Sequence, residues 1–110
     1  MINNQNKKES TNLFEVIAET NRREILGILR IRPRTVSEIV ELSKLSQPGV
    51  SKHLRILREA GLVTIVKESQ RHIYHLQGKQ LEEIDNWLEP YRKYWSEKLD
   101  ALEQFLNEEE

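Results

Sequence analysis

Hydrophobic positions change their period several times along this chain, and each change marks an element. Leu13, Phe14, Val16, Ile17 and Ala18 open a helical segment that is interrupted near Thr20-Asn21, where either residue can cap the next helix. In NRREILGILRI, Ile25, Leu26, Ile28 and Leu29 form one face, and Pro33 stops the run. TVSEIVEL holds a capping box, the Thr35 hydroxyl and Glu38 serving each other's backbone, and predicts a short helix over 36–42 with Ile39 and Val40 inward. After the tight turn SKLS, Val50, Leu54 and Leu57 recur at i, i+4, i+7, predicting a helix over 47–60 that ends on Gly61. LVTIVKE and RHIYHLQ are β-rich runs joined by Ser69-Gln70, a hairpin signal without its usual glycine. Leu81, Ile84, Leu88, Tyr91, Trp95, Leu102 and Phe105 then alternate spacings of three and four, with Lys98 filling one gap. This is a heptad stripe on a long last helix. Pro90 lies inside it, so a kink or break is expected near Glu89.

The stretch SQPGVSKHL decides what this pattern is for. Ser46 suits an N-cap, and Pro48 falls in the first turn, where a missing N–H costs nothing. The other N–H groups there sit at the positive end of the helix dipole and suit a phosphate. Gly49 reads as incidental, so Gly49→Ala is predicted to stabilise by about 0.5–1 kcal/mol. At 100° per residue Val50, Leu54 and Leu57 cluster inside, while Gln47, Ser51, Lys52 and Arg55 spread over the outer arc with Arg58 at its edge. An amide, a hydroxyl and cations on one exposed face suit base edges and phosphates in a major groove. Two helices joined by a short turn and followed by a hairpin bearing Lys67 and Arg71 make a winged helix-turn-helix. The predicted fold is mainly α with a small β-hairpin, in the order α-α-α-α-β-β-α.

Composition sharpens this picture. A chain of 110 residues, 37% hydrophobic and 32% charged, suits a small soluble domain over 12–107, with a disordered arm over 1–11 and an acidic tail over 108–110. The net charge of −1 hides an asymmetry. Seven basic residues oppose Glu59 and Glu68 between Lys44 and Lys79, and ten acidic residues oppose three basic ones from Gln80 onward. A basic middle beside an acidic end separates a polyanion-facing surface from another surface. No cysteine is present, which removes disulfides and thiolate ligands and favours a cytoplasmic home. No apolar stretch is long enough to insert in a membrane. No nucleotide-binding loop or nucleophile–base pair appears, so an enzyme is not expected, and neither is a cofactor.

The segment NRREILGILR…TVSEIVELSKLSQPGVSKHLRILREAGLV…RHIYHL resembles the ArsR/SmtB family of winged-helix repressors over about residues 12–107. The resemblance implies a sequence-specific DNA-binding regulator, a homodimeric repressor on a palindromic operator in double-stranded DNA. Gln47, Pro48, Ser51, Lys52, His53 and Arg55 would lie at the DNA, and Lys67 and Arg71 would serve the wing. It further implies a homodimer through the first and last helices, involving Leu13, Phe14, Leu88, Tyr91, Trp95, Leu102 and Phe105, answering to a protein or small-molecule inducer. The family's metal-sensing ligands do not transfer. The only histidines are His53, His72 and His75, and the last two, three apart on a strand, point to opposite faces. His53 suits a packed, hydrogen-bonded histidine as well as a phosphate donor. The alternative function is a protein-interaction module whose acidic last helix binds a partner.

Overall fold

A computed structural model describes residues 12–108, so the expected arm over 1–11 and the last two residues of the expected tail lie outside the described residues. The elements are α1 (Leu13–Ala18), α2 (Thr20–Ile31), α3 (Val36–Ser43), α4 (Gln47–Glu59), β1 (Val63–Glu68), β2 (Arg71–Leu76), a 3-10 turn (Gly78–Leu81) and α5 (Glu82–Glu108). This is the predicted winged helix-turn-helix order.

The first four helices each start on a side chain that takes up orphan N–H groups. Asn12 Oδ1 accepts from Phe14 at 2.9 Å and Glu15 at 3.2 Å. The cap of α2 is not Thr20 or Asn21, as the sequence suggested, but Glu19, whose Oε1 accepts from the Asn21 N–H at 2.6 Å. Glu19 also ends α1 in an extended conformation, so one residue serves both helices and makes the elbow between them. The capping box of α3 is formed as predicted. Ser46 caps α4, its Oγ accepting from the Gly49 N–H at 3.1 Å.

Gly61 closes α4 with φ of 81°. Its N–H bonds the Arg58 carbonyl at 3.0 Å and the Leu62 N–H reaches the Leu57 carbonyl at 2.9 Å, the paired bonds of a Schellman stop. The hairpin is antiparallel with Val63 opposite Leu76 and Glu68 opposite Arg71. Its two-residue loop manages without glycine because Ser69 takes the positive φ, 56°. Arg34 adds one more rung, exchanging backbone hydrogen bonds with Tyr74 at 3.1 and 2.8 Å, a pairing the sequence did not suggest.

The core joins Leu13 and Val16 of α1 to Ile25, Leu29, Ile39, Val50, Leu54, Leu57, Leu62 and Val63. Ile56, absent from the predicted inner face of α4, is buried as well. The last helix leaves this core. Leu81 and Ile84 pack against it, and every residue from Asp85 onward in the helix is exposed. The radius of gyration, 19.4 Å, exceeds the roughly 13 Å of a compact chain of this length for that reason.

Of the kink or break expected near Glu89, a break does not occur; α5 is continuous through Pro90. Proline withholds the N–H that would bond the Asn86 carbonyl. Arg92 spans that turn, pairing with Asp85 and with Glu89, the latter at 2.7 Å.

Two glycine substitutions should part company in urea unfolding. Alanine at Gly61 must hold a positive φ and press its Cβ on the Gln80 side chain at 3.1 Å. A loss of about 1–2 kcal/mol is expected. At Gly49 the new Cβ meets the capping Ser46 Oγ at 3.1 Å, which the sequence could not reveal. That crowding offsets most of the helix-propensity gain, so a change within about 0.5 kcal/mol is expected rather than a clear stabilisation.

Candidate nucleic-acid interface

The link between α3 and α4 sets the direction of the second helix. Lys44 ends α3 in the left-handed region (φ 64°), with its N–H on the Val40 carbonyl at 3.0 Å. The buried Ser43 hydroxyl accepts from the Leu45 N–H at 3.2 Å and fixes the turn. From there α4 runs with Val50, Leu54 and Leu57 almost wholly inaccessible and its opposite face bare. Gln47, Pro48, Ser51, Lys52, Arg55 and Arg58 are all exposed on that face. Arg55 pairs with Glu59 one turn on at 3.7 Å. Such an exposed pair contributes about 0.3–0.5 kcal/mol, so exchanging it for a base or phosphate costs little.

Lys67 and Arg71 are exposed near the hairpin tip, as the wing reading expects. The structure adds a neighbourhood that the sequence analysis missed. The Arg34–Tyr74 rung brings the extended Arg32-Pro33-Arg34 segment beside the wing, and Glu38 lies in the field of Arg32, Arg71 and Arg34. Its carboxyl group is held below its ordinary value by the Thr35 N–H at 2.9 Å first, with burial opposing and the three guanidinium groups assisting. Arg32 is 3.6 Å away. Residues flanking a proline favour extended backbone, the one sequence signal that could have pointed to this strand-like segment.

His53 is set apart from the rest of the set. It is half-buried on the shoulder of α4 and faces the α1–α2 elbow, with Nδ1 3.5 Å from Arg22 Nη1. Burial pushes its imidazole below the ordinary value; Glu19 opposes the shift, and Arg22 and Lys52 add to it. His72 stands opposite Lys67 and His75 opposite Thr64, positions on opposite faces of the hairpin. Among the described residues no group of three or more histidine and acidic side chains is placed to hold a metal ion.

The residues expected at a dimer interface divide. Leu13 is 5% exposed within the core of its own chain, and Phe14 packs edge-on against Trp87 with ring centroids 5.6 Å apart. Leu88, Tyr91, Trp95, Leu102 and Phe105 are exposed along α5, joined by Leu99 and Leu106. Among the described residues no helix is long and apolar enough to cross a membrane.

A helix-turn-helix with a basic outer face and a flanking wing defines a DNA-binding protein of the winged-helix class. A family model described as bacterial regulatory protein, arsR family, matches residues 19–64. The transcriptional repressor SdpR of Bacillus subtilis is 32% identical over 77 residues, 70% of this chain and 86% of that protein. The transcriptional activator HlyU of Vibrio cholerae is 32% identical over 78 residues, 71% and 72% of the two chains. An ArsR-like transcriptional regulator from Rhodococcus sp. RHA1 superposes with a TM-score of 0.66 at 28% identity, covering 84% of this chain and 88% of that one. The chain belongs to the arsR family of bacterial regulatory proteins. It is a DNA-binding transcriptional regulator.

The Glu38 contacts carry a pH signature. A carboxyl group with a folded-state value below 4.5 contributes stability that is present above 4.5 and is lost as pH falls through the lowered value. Glu38→Gln should therefore lose less stability than the wild type between pH 4.5 and the acid limit of the fold, measured by thermal melting at each pH.

Proposed function

We propose that the protein acts as a homodimeric repressor that sets two copies of α4 into successive major grooves of a roughly palindromic operator. The observation that carries this reading is the division of exposed surface. Cations, an amide and a hydroxyl occupy the outer face of α4, and a continuous apolar stripe occupies α5. Exposed apolar rows of this extent mark a surface that is covered in use. Two identical stripes covering each other would relate the reading helices by a twofold axis, about one DNA turn apart.

In this reading Arg55 and Gln47 address base edges, with arginine suited to guanine and glutamine to adenine. Ser51, Lys52 and the start of α4 at Pro48 address phosphates, and Lys67 and Arg71 hold the flanking backbone. The dimer surface is Phe14, Leu88, Tyr91, Trp95, Leu102 and Phe105, with Leu13 supporting it from the core. Repression follows the relation to SdpR, since a dimer seated over a promoter excludes polymerase without further machinery. The acidic outer positions of α5 stay away from DNA, consistent with polyanion repulsion.

A salt titration of operator binding tests the DNA surface. Six or more phosphate contacts should lower affinity about a thousandfold or more between 50 and 200 mM salt, and a flat response would refute it. Combining Arg55→Ala with Ser51→Ala should abolish retardation of operator DNA while size exclusion still returns about twice the 13.1 kDa chain mass. Trp95→Glu should do the converse, halving the apparent mass and weakening operator binding with it. If the double variant impaired capture of a partner protein and left DNA binding intact, α4 would serve an interaction module instead.

A further inference from the structure

The arginine pair Arg22-Arg23 closes an account that a short helix cannot close by itself. The four last carbonyls of six-residue α1 have no partners within the helix. Arg22 Nε donates to the Val16 carbonyl at 2.7 Å and its Nη2 to Glu15 at 3.4 Å. Arg23 Nη1 donates to Ile17 at 2.8 Å and to Ala18 at 3.0 Å. The guanidinium charges also suit the negative end of the helix dipole. Arg22 Nη1, which takes part in neither of that residue's bonds to α1, meets Nδ1 of His53 on α4 at 3.5 Å.

We infer that His53 is a positioning residue, which seats α4 on the α1–α2 elbow by accepting at Nδ1 from Arg22, and that a proton on Nδ1 releases that seat. Arg22 carries only donors, so the contact requires an unprotonated Nδ1 and therefore the tautomer with its hydrogen on Nε2. A protonated ring would turn a second donor toward the guanidinium. The charged groups facing His53 are Glu15 of α1, Glu19 at the elbow, Arg22 of α2 and Lys52 of α4 itself. They line an open cleft of about 390 Å³; burial opposes a proton on the ring most, Glu19 favours it, and Arg22 and Lys52 oppose it. The consequence is directional. The seat is complete above pH 6.5, the ordinary value for imidazole, and is lost as pH falls through the lowered folded-state value. The same residue is thereby withdrawn from phosphate contact, which would call for a charged, outward imidazole.

The role in DNA binding rests on the function proposed above, but the contact itself does not, and the test separates them. Long-range proton–nitrogen NMR of the full chain at about pH 7, with the His53 signals assigned from His53→Asn, should report a neutral ring protonated on Nε2. A hydrogen on Nδ1, or a charged ring, would overturn the contact whether or not DNA binds. Operator binding is then measured for the wild type, His53→Asn and His53→Ala over about pH 5.5–7.5 and a range of salt. Asparagine places an oxygen where Nδ1 stood and cannot be protonated. It should keep affinity within about threefold and lose less affinity on acidification than the wild type, with His72 and His75 common to both. His53→Ala should bind about tenfold more weakly at the upper pH with an unchanged salt slope. A slope shallower by about 0.9 would identify a direct phosphate contact instead, and unaltered binding would make the contact idle. A His53→Ala chain that fails to fold leaves the tautomer and the asparagine variant to decide. A wild type that binds no duplex would sink the proposed function and leave the tautomer result standing.

Discussion

One helix must serve two masters here, and the arrangement of the others follows from that. The thirteen residues of α4 bury Val50, Leu54, Ile56 and Leu57 on one side while their other side stays bare and basic. Burying each of these large side chains contributes about 1.5–3 kcal/mol, so the inner face fixes the helix firmly enough for the outer face to be a rigid template. Helices α2 and α3 supply Ile25, Leu29 and Ile39 as the bed, and Leu62 and Val63, at the entry to β1, continue the core directly after the Gly61 stop. The hairpin is thus tied to α4 by the same apolar cluster.

The elbow between α1 and α2 is the second constraint. A helix of six residues leaves most of its carbonyls without a partner of its own, and Arg22 and Arg23 take up those at its end while Leu13 and Val16 anchor it in the core. The same Arg22 guanidinium that bonds α1 reaches His53, so α1, α2 and α4 meet at one joint. Phe14 extends α1 outward onto Trp87, and Trp87 stacks on Tyr91 with ring centroids 4.9 Å apart, carrying the chain of contacts from the elbow to the projecting helix.

Much of this was legible from residue spacing. The i, i+4, i+7 pattern of α4, the Thr35–Glu38 capping box and the heptads of α5 are local signals, and local hydrogen bonding and helical geometry suffice to express them. The family likeness rests on the same stretch, SQPGVSKHLRILREAGLV. The one misplaced cap has a physical cause: Glu19, not Thr20 or Asn21, caps α2, because the elbow it forms with α1 outweighs a cap preference of about 1 kcal/mol. Lys44 and Ser69 at positive φ, and α5 unbroken at Pro90, likewise set aside single-residue preferences that neighbouring contacts outweigh. The Arg34–Tyr74 rung joins residues forty apart and leaves no periodic trace.

By itself the sequence determined which faces exist: an apolar side and a basic side on α4, a wing with two cations, and an apolar stripe on an acidic last helix. These are properties of composition at fixed period and survive any packing. The tertiary structure decided which charged residues look outward. Arg22 and Arg23 differ little in sequence terms from Arg55 and Lys52, yet the first two turn onto the α1 carbonyls and the others face solvent. The physical reason is that α1 is too short to satisfy its own carbonyls, and only the folded chain shows which cations are drawn in to do so.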